Sequence, residues 1–368
     1  MYRIIFVCIV TLFQSCVTDN KPPLQDSLAI DWNYKYKFQG SPDPIPLVVG
    51  DSLVITSLDG QVISLFIHDG SLKWSSESLN EFSIHGKGFL LNKKNVFANH
   101  TNQLFNWNVE NGERKWSIPI EDPLTLFNIG THASTSYGYA VAAGSNQIFT
   151  VDFDGNILFR KQIEYSSGYI THYQNKLYLA QGKTVHGALT LGRITVLNAQ
   201  DGDSLWAYNA DNGAFNVASI VEDGIVYAGA FGNSPLNEVV ALDAESGEVI
   251  WRYESDYIYT RAFALGPEHV YVNTGGSLAA LNKQTGELEW RVEWLGTAST
   301  KPVYLGGYVY LTNYSELMVI DDESGQVVHR EPSPDGTAIW HVAASSDKIF
   351  AQTSRQLIAY QPWHLREE

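Results

Sequence analysis

Seven times along the chain a glycine is followed, four residues later, by a ring: Gly70/Trp74, Gly112/Trp116, Gly155/Phe159, Gly202/Trp206, Gly247/Trp251, Gly286/Trp290 and Gly325/His329. Successive rings are 42, 43, 47, 45, 39 and 39 residues apart. Val239–Trp251 shows the unit most clearly: residues alternate in two faces from Val239 to Ala244, Glu245-Ser-Gly247 turns the chain, and a second strand carries Trp251. Alternation with a period of two is the mark of a strand. A period near forty in a β-patterned chain predicts propeller blades.

Each unit holds four short strands. In the unit ending at residue 329 they are expected at Lys301–Leu305, Tyr308–Thr312, Leu317–Ile320 and Gln326–His329. The ends matter as much. Trp32 lies 42 residues before Trp74 and reads as an outermost strand with no blade before it. Residues 348–352 and Gln356–Tyr360 read as inner strands with no outermost strand after them. Joined, they complete an eighth blade and close the ring, removing the edges an open sheet exposes. The expected fold is all-β, an eight-bladed propeller of four-stranded antiparallel blades over residues 28–363. The rings at Trp32, Trp74, Trp116, Phe159, Trp206, Trp251, Trp290 and His329 then fill equivalent slots between neighbouring blades. Burying a whole indole stabilises by at most about 5 kcal/mol, from roughly 200 Å² at 25 cal/mol/Å².

Residues 1–15 read as a signal peptide: Arg3 precedes an apolar run from Ile4 to Leu12, too short to stay in a bilayer as a spanning helix. Phe13-Gln-Ser-Cys16 then resembles the lipobox of bacterial lipoproteins, which implies lipidation at Cys16 and a lipid-anchored place in the bacterial cell envelope. The other reading is an ordinary cleaved signal with an incidental cysteine. Residues 16–27 are polar and carry Pro22 and Pro23, as a tether would; residues 364–368 form a short tail. The formal charge of −16 argues against binding nucleic acid through its phosphates. Cys8 and Cys16 are the only cysteines, so the body of the chain has no disulfide and no cysteine-based metal site.

The repeats Leu-Asp-Ala-Glu-Ser-Gly-Glu-Val-Ile-Trp251, Leu-Asn-Ala-Gln-Asp-Gly-Asp-Ser-Leu-Trp206 and Leu-Asn-Lys-Gln-Thr-Gly-Glu-Leu-Glu-Trp290 resemble the pyrroloquinoline-quinone-like repeat. That repeat builds eight-bladed propellers in quinoprotein dehydrogenases and in BamB-like lipoproteins of the outer-membrane barrel-assembly machinery. Trp-Asp dipeptides, the sign of another propeller family, are absent. The resemblance implies the fold, and the repeated residues are packing residues that carry no activity. The dehydrogenases hold their quinone beside a vicinal disulfide with a calcium ion; this chain has no adjacent cysteines and no haem-attaching Cys-x-x-Cys-His. Asp152-Phe-Asp-Gly-Asn156 could open a calcium loop but lacks the later carboxylate, and it occupies a blade turn.

The expectation is therefore a non-enzymatic scaffold with no metal and no cofactor, whose partners are envelope proteins, barrel-assembly components among the candidates. A small-molecule or glycan sensor and a divergent quinoprotein dehydrogenase are the alternatives. Polar residues near the starts of the innermost strands, His85, Tyr169, Asn216, Arg261, Lys301 and His341, could converge on the mouth of the central channel and receive an anionic group. The other reading is a solvated rim. Two units carry extra residues between their second and third strands, Gly182–Gly192 and Phe231–Asn237.

Overall fold

The computed structural model describes residues 27–36, 45–58, 61–77, 89–92, 94–100, 103–119, 132–143, 146–185, 189–210, 213–215, 217–231, 237–255, 262–274, 276–294 and 300–366. The signal, Cys16 and most of the tether lie outside them.

Eight antiparallel sheets follow one another around a ring. Blade 1 is Leu47–Val49, Leu53–Leu58, Gln61–Phe66 and Leu72–Ser75, and blades 2 to 7 repeat that order, except that in blade 5 the innermost strand is split into Ala214–Phe215 and Ile220–Glu222, both paired with Ile225–Phe231. Blade 8 takes Ile339–Ala344, Ile349–Thr353 and Gln356–Tyr360 from the C-terminal end and its outermost strand, Ile30–Lys35, from the N-terminal end. Blade 7 runs Val303–Leu305, Tyr308–Thr312, Glu316–Asp321 and Val327–Pro332, so its innermost strand starts two residues after Lys301.

Burial explains why these sequences make these strands. Middle strands such as His269–Asn273 and Gln356–Tyr360 are buried along their whole length, because neighbouring blades cover both faces. Outermost strands such as Ser204–Asn209 and Leu288–Glu293 are alternately exposed and half-buried, because only one face meets a neighbour. The core is a series of apolar layers between consecutive blades, such as Tyr178, Ile194, Val196, Phe215, Val226, Val240 and Leu242 between blades 4 and 5.

The repeated glycine and ring meet between blades, never within one. Gly247 turns at a φ of 77°, and Trp206 of the preceding blade lies across it. The indole Nε1–H donates to Ala244 O at 3.2 Å. Trp32, Trp74, Trp116, Trp251 and Trp290 donate in the same way to Ile67, Val109, Phe153, Lys283 and Asp322, at 2.6 to 3.1 Å. Phe159 lies against Gly202 and has no N–H to donate.

Each outermost strand is also irregular just before its ring. All eight shift register there, leaving one bulged residue: Asp31, Lys73, Lys115, Leu158, Leu205, Ile250, Glu289 and Val328. A bulge bends and twists a strand and re-aims the next side chain. Here it turns the ring toward the next blade.

The joint between blades 7 and 8 is different. Blade 8 has no turn from its third to its fourth strand, since the chain ends meet there, so no glycine faces His329. Trp363, in a single 3-10 turn, stacks on the imidazole at 5.0 Å instead. His329 Nε2 bonds Glu331 at 2.9 Å, and Glu331 accepts Leu28 N–H at 2.6 Å. Lys348 pairs with Asp31 at 2.6 Å.

Candidate functional site

Strand order fixes two unlike faces. Turns from third to fourth strand, with their glycines and rings, lie on one face. Turns from second to third strand, and the starts of the innermost strands, lie on the other. That second face carries the described features that could serve a ligand or partner.

Of the residues expected at the channel mouth, His85, Asn216 and Arg261 lie outside the described residues. Lys301 and His341 belong to neighbouring blades, 7 and 8, whereas Tyr169 belongs to blade 4, diametrically across the ring. The Tyr169 ring packs against the layer between blades 4 and 5. Lys301 reaches solvent but is crowded by protein, and this desolvation holds its ammonium pKa below the usual lysine value. Among the described residues no group of three or more His, Cys, Asp or Glu side chains is placed to hold a metal ion. Asp152 instead caps its own turn, accepting the Asp154 and Asn156 N–H groups at 2.9 and 2.8 Å.

The extra residues of blade 4 form a projecting ribbon. Lys176–Val185 and Leu189–Asn198 pair continuously, from Lys176↔Asn198 to Val185↔Leu189. The innermost strand stops pairing at Gly182 and the outermost at Arg193. Lys183–Val185 and Leu189–Leu191 therefore stand about 10 Å past the sheet, at about 3.3 Å per residue. The ribbon is braced at its base. Glu164 pairs with Arg193 at 3.1 Å and Lys183 at 3.6 Å, and both cations lie over the Tyr165 ring at 5.3 and 5.4 Å. Ala210 N–H donates to Gly192 O at 3.0 Å, and Leu191 bridges Gly213 while its side chain stays 47% exposed. A Cβ on Gly192 would sit 2.3 Å from Gly213 O, so only glycine allows that approach.

One titratable cluster spans a blade joint. His269 Nδ1 bonds Asp322 at 2.7 Å, Nε2 bonds Glu289 at 2.9 Å, and Tyr271 OH also donates to Asp322. Desolvation pulls the His269 pKa down, but the bonds to Glu289 and Asp322 outweigh it, and the net shift is upward. Glu289 is held below the usual carboxylate range, first by its bond to His269. This cluster, the bulges and the Trp363 cap carry no repeat signature, so sequence patterning does not find them.

Geometry and repeat together define an eight-bladed propeller of the quinone-type repeat class. The family described as outer membrane protein assembly factor BamB matches residues 29–129, 126–257 and 236–363, and the chain belongs to that family. No curated protein matches the sequence. Among solved structures, BamB from Moraxella catarrhalis is 15% identical with a TM-score of 0.68, over 91% of this chain and 99% of that one. A quinohemoprotein alcohol dehydrogenase, ADHIIG from Pseudomonas putida HK5, is 12% identical with a TM-score of 0.69, over 94% of this chain and 78% of that one. The computationally designed Ika8 protein is 12% identical with a TM-score of 0.69, over 92% and 97%. At these identities the likeness is one of fold.

Proposed function

We propose that this chain is a non-catalytic, lipid-anchored scaffold of the bacterial envelope that docks a protein of the outer-membrane barrel-assembly machinery. One observation carries the reading: the blade 4 ribbon. Beyond Gly182, the backbone of Lys183–Val185 is paired on one side only among the described residues. An edge of this kind accepts an added strand from a partner, main chain to main chain. The brace of Glu164, Lys183, Arg193 and Tyr165 holds that edge in place before a partner arrives, which lowers the ordering cost of binding. The chain enters the ring at Leu28 on the opposite face, so a tether from Cys16 would leave the ribbon pointing away from the anchor.

The test is photo-crosslinking in cells, with the reactive residue placed at Lys183 or Leu191 and, as control, at Glu323 on the opposite face. Crosslinks to a barrel-assembly component from Lys183 and Leu191 alone support the reading. Equal labelling from all three positions overturns it.

The dehydrogenase likeness gives a second reading its own test. Cys8 and Cys16 are the only cysteines and are not adjacent, so this chain has no vicinal disulfide for a quinone to lie against, and among the described residues no group of three or more His, Cys, Asp or Glu is placed to hold a metal ion. Titration with pyrroloquinoline quinone and calcium is expected to be flat. Saturable micromolar binding with dye-linked turnover would replace the scaffold by an enzyme.

A further inference from the structure

We propose that Trp340, at the mouth of the channel between blades 7 and 8, is the platform of a saccharide site that takes an acidic pyranose. Two separate departures from regular backbone converge on this side chain. The innermost strand Ile339–Ala344 shifts register between Ile339 and His341, which makes Trp340 the bulged residue. Bulges re-aim a side chain out of the sheet's alternation and recur beside binding sites. The second departure is Tyr314, whose φ is 75°. An aromatic residue in the left-handed region costs roughly 1–3 kcal/mol that glycine would avoid. Its surroundings enforce the strain: Tyr314 N–H donates to Thr312 Oγ1 at 3.0 Å, and Tyr314 O accepts Ile339 N–H at 2.7 Å. The result is a Tyr314 ring edge-on to Trp340, at 5.5 Å and 71°.

The indole so propped is 38% exposed. The rings of the eight slots serve the blade joints, and this one lies on the opposite face with no blade turn to cover. A flat indole face held by the Tyr314 ring suits the C–H face of a pyranose, whose hydroxyls point outward to water. The exposed indole also has an Nε1–H that a sugar hydroxyl can accept from. Lys301 gives the charge preference. Thr300 and Ile339 both bond Thr312, through Thr300 Oγ1 at 3.3 Å to its carbonyl and through Thr312 Oγ1 at 3.2 Å to Ile339 O. Lys301 and Trp340 each follow one of those residues, which places the two positions side by side on neighbouring blades around Thr312. An ammonium there favours a carboxylate or phosphate on the sugar, against the chain's overall negative field.

The experiment is saturation-transfer NMR on the full-length chain with three probes: N-acetylmuramic acid, glucosamine 6-phosphate and neutral N,N′-diacetylchitobiose. Transfer to the ring C–H groups of an acidic sugar, weakened at least tenfold by Trp340→Ala, supports the site. The first two probes separate a wall-type carboxylate from a sugar phosphate. Lys301→Gln is expected to abolish the preference for acidic over neutral sugar. Tyr314→Gly separates strain from structure: the fold should melt no lower, while sugar binding weakens. Three results overturn the proposal: no transfer with any probe at millimolar concentration, transfer that survives Trp340→Ala, or occupation of Trp340 by a peptide or an aromatic anion but by no sugar.

Discussion

Replacing Gly247 by alanine tests how neighbouring blades are fastened. The new Cβ faces two penalties. At a φ of 77° an L-residue is strained by roughly 1–2 kcal/mol. The Cβ would also lie 2.6 Å from Cε3 of Trp206, a distance real side chains do not adopt. The indole cannot simply retreat, because its N–H is bonded to Ala244 O and its edge meets Tyr178 at 6.0 Å. Forcing extra volume into a packed joint costs about 1–3 kcal/mol more. The two penalties together come to about 2–5 kcal/mol. Gly224 provides the control, since it has the same φ of 77° and nothing lies within 4 Å of the place its methyl would take. Gly224→Ala should therefore cost only the conformational part, about 1–2 kcal/mol. Urea denaturation followed by tryptophan fluorescence measures both. In the background of Trp206→Ala, Gly247→Ala should fall to the Gly224→Ala value, because the clash has no partner. Equal costs at Gly247 and Gly224 in the parent chain would refute the wedge as the fastening element.

Three further outcomes are expected. The His269 pKa is raised by folding, so its contribution is complete below the unfolded value near 6.5 and is lost as pH rises through the folded value; stability should therefore fall as pH is raised above about 6.5, and His269→Gln should flatten that slope in melts across the range. A chain beginning at Gly40 loses Trp32, the Leu28–Glu331 bond and the Asp31–Lys348 pair, and should aggregate or melt far lower, whereas deletion of residues 17–26 should leave the melt unchanged. Cys16→Ser should move the protein from the membrane fraction to the soluble periplasm, and unchanged labelling by a palmitate analogue would end the lipidation reading.

What the sequence makes legible is whatever the repeat enforces. Gly247 and Trp206 recur because seven of the eight joints use the same glycine turn under an aromatic wedge, so fold, blade count and terminal closure follow from spacing. The bulges are invisible because the bulged position accepts Asp31, Lys73, Leu158 or Glu289 alike; backbone geometry does the aiming. His329 looks like a weakened Trp slot until the cap is seen: its partner is Trp363, which no glycine announces. The blade 4 insertion shows in the sequence as extra length, but its conversion to paired strand depends on the packing of Gly192 under Gly213. Tyr169 and Lys301 share a place in the repeat yet meet different surroundings, because side-chain direction on an innermost strand depends on a register that alternation alone leaves open.

The eighth blade also sets an order in time. Its N-terminal strand is synthesised first, yet its only strand partner among the described residues is Gln356–Tyr360, near the far end of the chain. The Leu28–Glu331 contact spans 303 residues and Lys348–Asp31 spans 317. Contacts this distant form late and slowly. Seven blades can assemble by local hairpins while the first strand waits, and the ring stays open until the last strand arrives. A waiting strand is an aggregation hazard if it is apolar. Ile30–Lys35 reads Ile-Asp-Trp-Asn-Tyr-Lys, with Trp32 the one position fully buried in the closed ring. Asp31 and Lys35 keep it soluble in the interval, and Trp32 seats only when blade 1 already offers its turn. The strand that pairs last is thus one whose sequence tolerates delay.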